Sequence, residues 1–388
     1  MIYFDNSATT NFKPLSVKYC VLENLMKKNI ANPGRSGHNL SVKLGNKIYK
    51  ARENFAKFFN ISPFDVIFTS GCTEALNLGI FGTVKRNSHI ITTINEHNSV
   101  LRALKKIERE YNIEITYVKP KDYFVTDSEI EKNIRENTYM VIVNHTSNVT
   151  GATCDIESIG KVCKRHNIMF MVDGAQSVGH IKIDMQKCNI NMLAIAGHKG
   201  LHGITGVGAL LINMKKTIYP LRYGGTGTES ENLIQPTIRP EGLESGTLNY
   251  LNILAFEKGL LYTEKNFEKI NNKIGDLTQY LLKKLNEIKN IEVYSCENNR
   301  SGVVSFNIIN EPSSKISDYL NSCNIYIRSG LHCAPLVHKS LGTLVNGTCR
   351  VSLDFVNTKR QIDKLIVVLK SYIKNNTKIN NTCFKKSI

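Results

Sequence analysis

The stretch MFMVDGAQSVGH, residues 169–180, and the stretch MLAIAGHKGLHGITGVG, residues 192–208, decide the fold. In the first, an apolar run ends in Asp173 and passes at once into Gly174-Ala175-Gln176-Ser177. In the second, an apolar run ends in Gly197-His198-Lys199-Gly200. Parallel strands buried on both faces read as short apolar runs bounded by glycine and turn residues. Open α/β sheets place ligand chemistry just past the carboxyl ends of such strands. The spacing therefore predicts an acid and a lysine, 26 residues apart in sequence, on one rim of one sheet.

That pair suits pyridoxal phosphate. The cofactor needs a lysine amine to bind it and a carboxylate against its pyridine nitrogen, so that the ring can accept electrons. A partly buried, cationic setting lowers the pKa of a lysine and makes it nucleophilic. Either residue alone reads as a turn aspartate or a solvated lysine. The pair, each member set among Gly, His and Gln at a strand end, favours the cofactor. His198 adds a donor within reach of a phosphate.

Outward from this centre, the 388 residues are enough for a large core and two domains. No run of eighteen apolar residues occurs, and the opening MIYFDNSATT has no basic region followed by an apolar core. The expectation is a soluble, cytoplasmic protein with no membrane contact. Ten scattered cysteines without a C-x-x-C argue against a disulfide framework or a metal site and leave thiols free to react. The net charge of +17 suits a nucleic-acid or acidic partner. The lysines are spread rather than clustered, so a compositional origin is preferred and nucleic-acid binding is not expected. A basic face for an acidic partner stays open. Residues 374–388 read as a polar, frayed tail.

Helices are predicted over 15–28 and 41–59, the latter with Leu44, Ile48, Ala51 and Phe55 on one face. Strands are predicted over 65–69, 89–93 and 139–144. Between the first of these and a helix lies Ser70-Gly71-Cys72-Thr73, a turn whose free N–H groups form an anion site or an ordinary helix cap. A long helix over 251–287 leads to strands over 291–295 and 303–308, a helix over 314–321 and a terminal helix over 357–374. Cys333, in Ile327-Arg328-Ser329-Gly330-Leu331-His332-Cys333-Ala334-Pro335, has two readings. Beside histidine and arginine a thiolate attacks sulfur well, whereas a free cysteine in a turn is more often a small hydrophobe. Arg350, at a strand start, offers a fork suited to a carboxylate.

DGAQS together with AGHKG resembles the class V aminotransferase family. The R-[ST]-G-x-H-C-A pattern around Cys333 narrows the resemblance to its short-loop cysteine desulfurases, over residues 3 to about 358. The resemblance implies an α/β, fold-type I PLP-dependent transferase. Its large domain, 15–257, would hold a mainly parallel seven-stranded sheet between helices. A smaller α+β domain, 1–14 with 258–388, would carry the catalytic cysteine.

The same resemblance implies the site. Lys199 binds the cofactor and Asp173 meets its ring nitrogen. Gln176 bonds the ring hydroxyl oxygen, and Asn148 lies near that hydroxyl and the substrate carboxylate. His97 stacks on the ring and moves protons. Cys72, Thr73 and His198 face the phosphate. Thr247 reaches the phosphate of the other subunit, so a homodimer is implied. Arg350 binds the amino-acid carboxylate, Arg328 supports that site or the phosphate region, and His38 approaches substrate. Two departures stand out: Cys72, where the family usually has Ala or Thr, and Leu331, where it often has a second histidine.

The implied activity is desulfuration of L-cysteine to L-alanine, with the sulfur taken by Cys333 as a persulfide. The sulfur then passes to an acceptor protein, in iron–sulfur cluster assembly or another pathway. A selenocysteine lyase would use nearly the same residues, and another class V aminotransferase-type enzyme would not need Cys333. A scaffold that had lost catalysis would lack cofactor residues, and none is missing.

Overall fold

The structure is a computed structural model that describes residues 1–27, 30–296 and 299–384. The chain divides into two units. One comprises Phe12–Thr146 and Cys154–Phe267, the other Met1–Asn11, Ser147–Thr153 and the chain from Glu268 onward. The boundaries thus fall at 11/12 and 267/268, where the sequence reading has 14/15 and 257/258. The short segment Ser147–Thr153 joins the smaller unit.

The larger unit is built on seven strands: β1 Val66–Thr69, β2 His89–Thr93, β3 Glu114–Val118, β4 Thr138–Asn144, β5 Met169–Asp173, β6 Met192–Ala196 and β7 Gly208–Ile212. Their order in the sheet is β1-β7-β6-β5-β4-β2-β3. β7 alone runs antiparallel to its neighbours. Only residues 197–207 join it to β6, too few for the crossover a parallel neighbour needs.

Strand side chains alternate between two cores. Val141, Val143, Val172, Leu193 and Ile195 pack with the helices Asn39–Phe59, Ile156–Arg165 and Tyr250–Lys265. Met140, Ile142, Met171, Met192 and Ala194 pack with Cys72–Gly82 and Asn98–Tyr111. Helices on both faces explain why these strands read as unbroken apolar runs. They also leave the carboxyl ends of the parallel strands as the open rim.

The smaller unit has a four-stranded antiparallel sheet in the order Arg328–Gly330, Thr348–Ser352, Val303–Ile308, Ile291–Tyr294. Its core gathers Phe4, Leu277, Leu281, Phe306, Ile316, Val351 and Leu365.

Two expectations are corrected. The helix predicted over 251–287 is two helices, Tyr250–Lys265 and Phe267–Asn286. They break at Asn266, whose side chain donates to Tyr262 O at 2.8 Å, the backbone competition that disfavours asparagine inside helices. The terminal helix does not end near 374 but runs on to Phe384, through a polar stretch with no Gly or Pro to stop it. The final four residues of the expected tail lie outside the described residues, as does the last residue of the helix expected over 15–28.

Candidate active site

In the larger unit the sequence-predicted residues gather at the carboxyl ends of β1, β2, β5 and β6. Asp173 ends β5 and is buried at 2% exposure. Its Oδ1 accepts the Ala175 N–H at 2.9 Å and faces the Cys72 sulfur at 3.6 Å. Its Oδ2 takes no hydrogen bond among the described residues. Burial, and then the Asp173 charge, push the Cys72 thiol well up, so it stays a neutral donor. The Lys199 charge pulls the same thiol the other way, which places Lys199 within electrostatic reach of Cys72. Lys199 follows β6 in a turn, and its charge also acts on His198. Burial, Lys199 and Lys13 bring the His198 imidazole down to about 4, so it is neutral. Gln176 is buried in the turn after β5.

The helix Cys72–Gly82 is entered at Gly71 without a side-chain cap. Its first backbone bond is Ala75 N–H to Gly71 O, so the preceding N–H groups point out at the positive end of the dipole. Thr73 Oγ1 lies 2.8 Å from Ser99 Oγ, which lies 2.8 Å from His97 Nδ1. His97 caps the helix Asn98–Tyr111, its Nδ1 accepting the Ser99 N–H at 3.1 Å. Nδ1 is therefore an acceptor, and the neutral ring carries its proton on Nε2.

His38 and Thr247 are exposed, and no described contact joins them to this cluster. His38 caps the helix Asn39–Phe59 by accepting the Ser41 N–H at 3.3 Å.

In the smaller unit Arg328 Nη2 stands 3.9 Å from the Cys333 sulfur, which is half-buried. Both His332 and Cys333 have left-handed backbone, at φ 47° and 58°. For residues other than glycine such geometry costs roughly 1–3 kcal/mol each and persists where the surroundings impose it. His332 Nε2 lies 3.0 Å from Thr348 O, which can only accept, so Nε2 carries the proton. Burial, with Arg350 next, holds the His332 pKa far below its ordinary value. The His338 ring stands 5.6 Å away and is brought down to about 4 by burial. Arg350, 2% exposed, donates from Nη2 to Asp5 Oδ1 at 2.8 Å and from Nη1 to Asn148 O at 3.2 Å. Asn148 Nδ2 donates to His332 O at 2.6 Å.

Sequence reasoning missed Asp5 as a partner of Arg350, the His332–His338 pair, and Glu96. Glu96 is fully buried, its Oε1 accepting from Thr93 Oγ1 at 2.7 Å and Asn144 N at 2.9 Å. Burial raises its pKa to about 8, so it is a neutral acid behind the rim. Its position directly before His97, at a strand end, was the available signal.

The family model for aminotransferase class-V matches residues 2–365. The chain belongs to the class-V aminotransferase family. A relative from Borreliella burgdorferi named as a probable cysteine desulfurase is 34% identical, the match covering 96% of this chain and 92% of that one. Another so named, from Pyrococcus abyssi, is 33% identical, with 97% and 95% covered. The apo structure of a cysteine desulfurase from Thermococcus onnurineus NA1 superimposes with a TM-score of 0.90 at 31% identity, covering 96% of this chain and 95% of that one. The fold-type I class expected from the sequence is thereby borne out. The activity reading agrees with what these relatives are named.

Members of this family in general use pyridoxal phosphate. The larger unit has a donor set that fits it: a buried aspartate with one unengaged oxygen, a rim lysine and an uncapped helix N-terminus. Gly208 keeps that terminus close, since a Cβ there would stand 2.6 Å from the Gly71 carbonyl carbon.

Proposed function

We infer that this chain is a pyridoxal-phosphate-dependent cysteine desulfurase, converting L-cysteine to L-alanine and taking the sulfur onto Cys333. The observation that carries the reading is Cys333 itself. It is a half-buried thiol in a strained turn with the Arg328 guanidinium at its sulfur and a buried arginine held close by in the same unit. An aminotransferase has no use for that arrangement.

When bound, the cofactor supplies an electron sink for bond changes at the substrate α-carbon. Lys199 is the amine that holds it, and Lys199 Nζ takes and returns protons during the reaction. Asp173 offers Oδ2 to the ring nitrogen. His97 would lie against the ring when the cofactor is bound, with its Nε2–H available for proton transfer. The N–H groups of Cys72 and Thr73, with His198, receive the phosphate. Thr247 reaches that of a second copy, making the working form a homodimer. Gln176 donates to the ring hydroxyl oxygen. Arg350 and Asn148 receive the substrate carboxylate, with Arg328 in support, and His38 serves substrate approach.

The Cys333 thiolate attacks the substrate sulfur. A sulfur–sulfur bond forms, the Cβ–S bond breaks, and its electrons stay with the carbon fragment, which gains a proton to become alanine. The persulfide passes to an acceptor protein. No described helix is long and apolar enough to cross a membrane, and a cytoplasmic setting suits a free catalytic thiol.

The test is alanine release from L-cysteine, with a thiol reductant present, by the wild type and by Cys333→Ala. Release by the wild type alone supports the reading. Full release by Cys333→Ala would overturn the persulfide step, and release by neither would point to another substrate.

A further inference from the structure

The N-terminal segment is clamped along the strand that carries Arg350. Ile2 and Tyr3 pair in parallel with Ile325 and Tyr326. Phe4 N–H donates to Tyr326 O at 2.8 Å, and Ser352 N–H donates to Phe4 O at 2.6 Å. Asn6 donates to Ser352 O from its backbone at 3.3 Å and from its side chain at 3.0 Å. Ser7 N–H reaches Ser352 Oγ at 2.9 Å. Ser352 lies two residues beyond Arg350 on Thr348–Ser352. The clamp fixes Asp5, between Phe4 and Asn6, with its carboxylate on Arg350 Nη2.

From that ion pair a line of hydrogen bonds continues. Arg350 Nη1 donates to Asn148 O, and Asn148 Nδ2 donates to His332 O, one residue before Cys333. Two groups along the line, Arg350 Nε and Asn148 Oδ1, are buried and unpartnered among the described residues. Buried polar groups without partners are uncommon and call for a cause. Two of the five guanidinium N–H donors are engaged, and a guanidinium held in this way keeps three, the Nε–H among them, for a further anion. Asp5, at 22% side-chain exposure, is paired with the 2%-exposed arginine. It keeps a buried cation compensated between substrates.

We propose that Asp5 is a positioning residue for the substrate carboxylate. It holds Arg350 through Nη2 and so fixes the guanidinium whose remaining N–H donors serve the incoming carboxylate, and the Asn148 bonds tie that arginine to the turn carrying Cys333. The proposal rests on Arg350 being the carboxylate site, and it does not require sulfur removal.

The test uses holoenzyme and two ligands, L-alanine and ethylamine, which is L-alanine without its carboxylate. Binding is measured by calorimetry for the wild type, Asp5→Ala and Asp5→Asn. Loss of one charge-assisted hydrogen bond predicts that Asp5→Ala weakens L-alanine about tenfold and moves ethylamine less than about twofold. Asp5→Asn, whose amide oxygen still accepts from Nη2, restores wild-type binding of L-alanine. Unchanged L-alanine binding in Asp5→Ala, equal weakening of both ligands, or an Asp5→Asn as impaired as Asp5→Ala would each overturn the proposal. Asp5→Ser replaces Asp5→Ala should thermal melting show that the alanine variant is unfolded. A wild type that prefers L-alanine to ethylamine yet releases no alanine from L-cysteine overturns the desulfurase reading and leaves this one standing. A wild type with no such preference overturns this one.

Discussion

The Cys72 thiol donates to Asp173: its sulfur stands 3.6 Å from the Oδ1 that also accepts the Ala175 N–H. A side chain at the mouth of the helix Cys72–Gly82 thus helps to orient the carboxylate at the end of β5. Cys72→Ala removes one weak neutral donor, so cofactor affinity falls by less than about tenfold. Cys72→Asp sets a second carboxylate against the first, and one of the two must take up a proton. Cofactor affinity then falls by more than about tenfold. Spectrophotometric titration with pyridoxal phosphate measures both; equal affinity for Cys72→Asp and wild type would contradict the assignment of Asp173.

Gly208 marks a second contact on which the rim depends. A Cβ there meets two backbone groups, the Gly71 carbonyl carbon and Ile195 O, each at 2.6 Å. Neither is the flexible end of a side chain. Gly208→Ala should cost roughly 1–3 kcal/mol in urea unfolding and weaken cofactor binding by displacing the turn before Cys72. Wild-type values for both would show that the turn has room.

The Arg52–Glu244 pair is buried on both sides, at 6% and 4% side-chain exposure. Glu244 Oε1 accepts from Arg52 Nη1 at 3.0 Å and from the Phe68 N–H at 2.6 Å, which ties it to β1. Removing one partner strands the other charge. Glu244→Ala should therefore lose about 3–5 kcal/mol. Arg52→Met with Glu244→Leu should lose markedly less, because no buried charge remains. Denaturant melts of the wild type and these two variants decide, and a double variant that loses as much as Glu244→Ala would contradict the account.

Four histidines, of which His145, His332 and His338 are buried and His198 half-buried, contribute to the acid limit of stability. Burial brings His145, His198 and His338 to about 4 and holds His332 well below its ordinary value. In the unfolded chain each binds a proton near 6.5, so between about 6.5 and 4 the unfolded state holds more protons. Their stabilising contribution is complete above about 6.5 and is lost as pH falls toward 4. His338→Phe, which keeps a ring against His332, should flatten that limb by at most about 1.4 kcal/mol per pH unit. Parallel stability–pH curves for variant and wild type would contradict the neutral assignment.

The parts legible in the sequence were those whose signals are local. β5 and β6 read as strands because helices cover both faces of the sheet and leave no polar alternation. Asp173 and Lys199 read as a pair because each follows such a run directly. The direction of β7 was implicit in the shortness of residues 197–207. What could not be read depends on contacts across long stretches of chain. Asp5 meets Arg350 from 345 residues away. Ser147–Thr153 leaves the larger unit for the smaller through bonds such as Ser305 Oγ to Val149 O at 2.6 Å. The break at Asn266 falls in a stretch whose apolar pattern continues on both sides.

The most direct measurement of the central claim is the mass of the peptide carrying Cys333 after holoenzyme has met L-cysteine without reductant or acceptor. The account predicts that this peptide gains one sulfur atom, removable by thiol, and that alanine forms in step with it. Alanine release with Cys333 unmodified, or sulfur found on another cysteine while Cys333 stays bare, would contradict it.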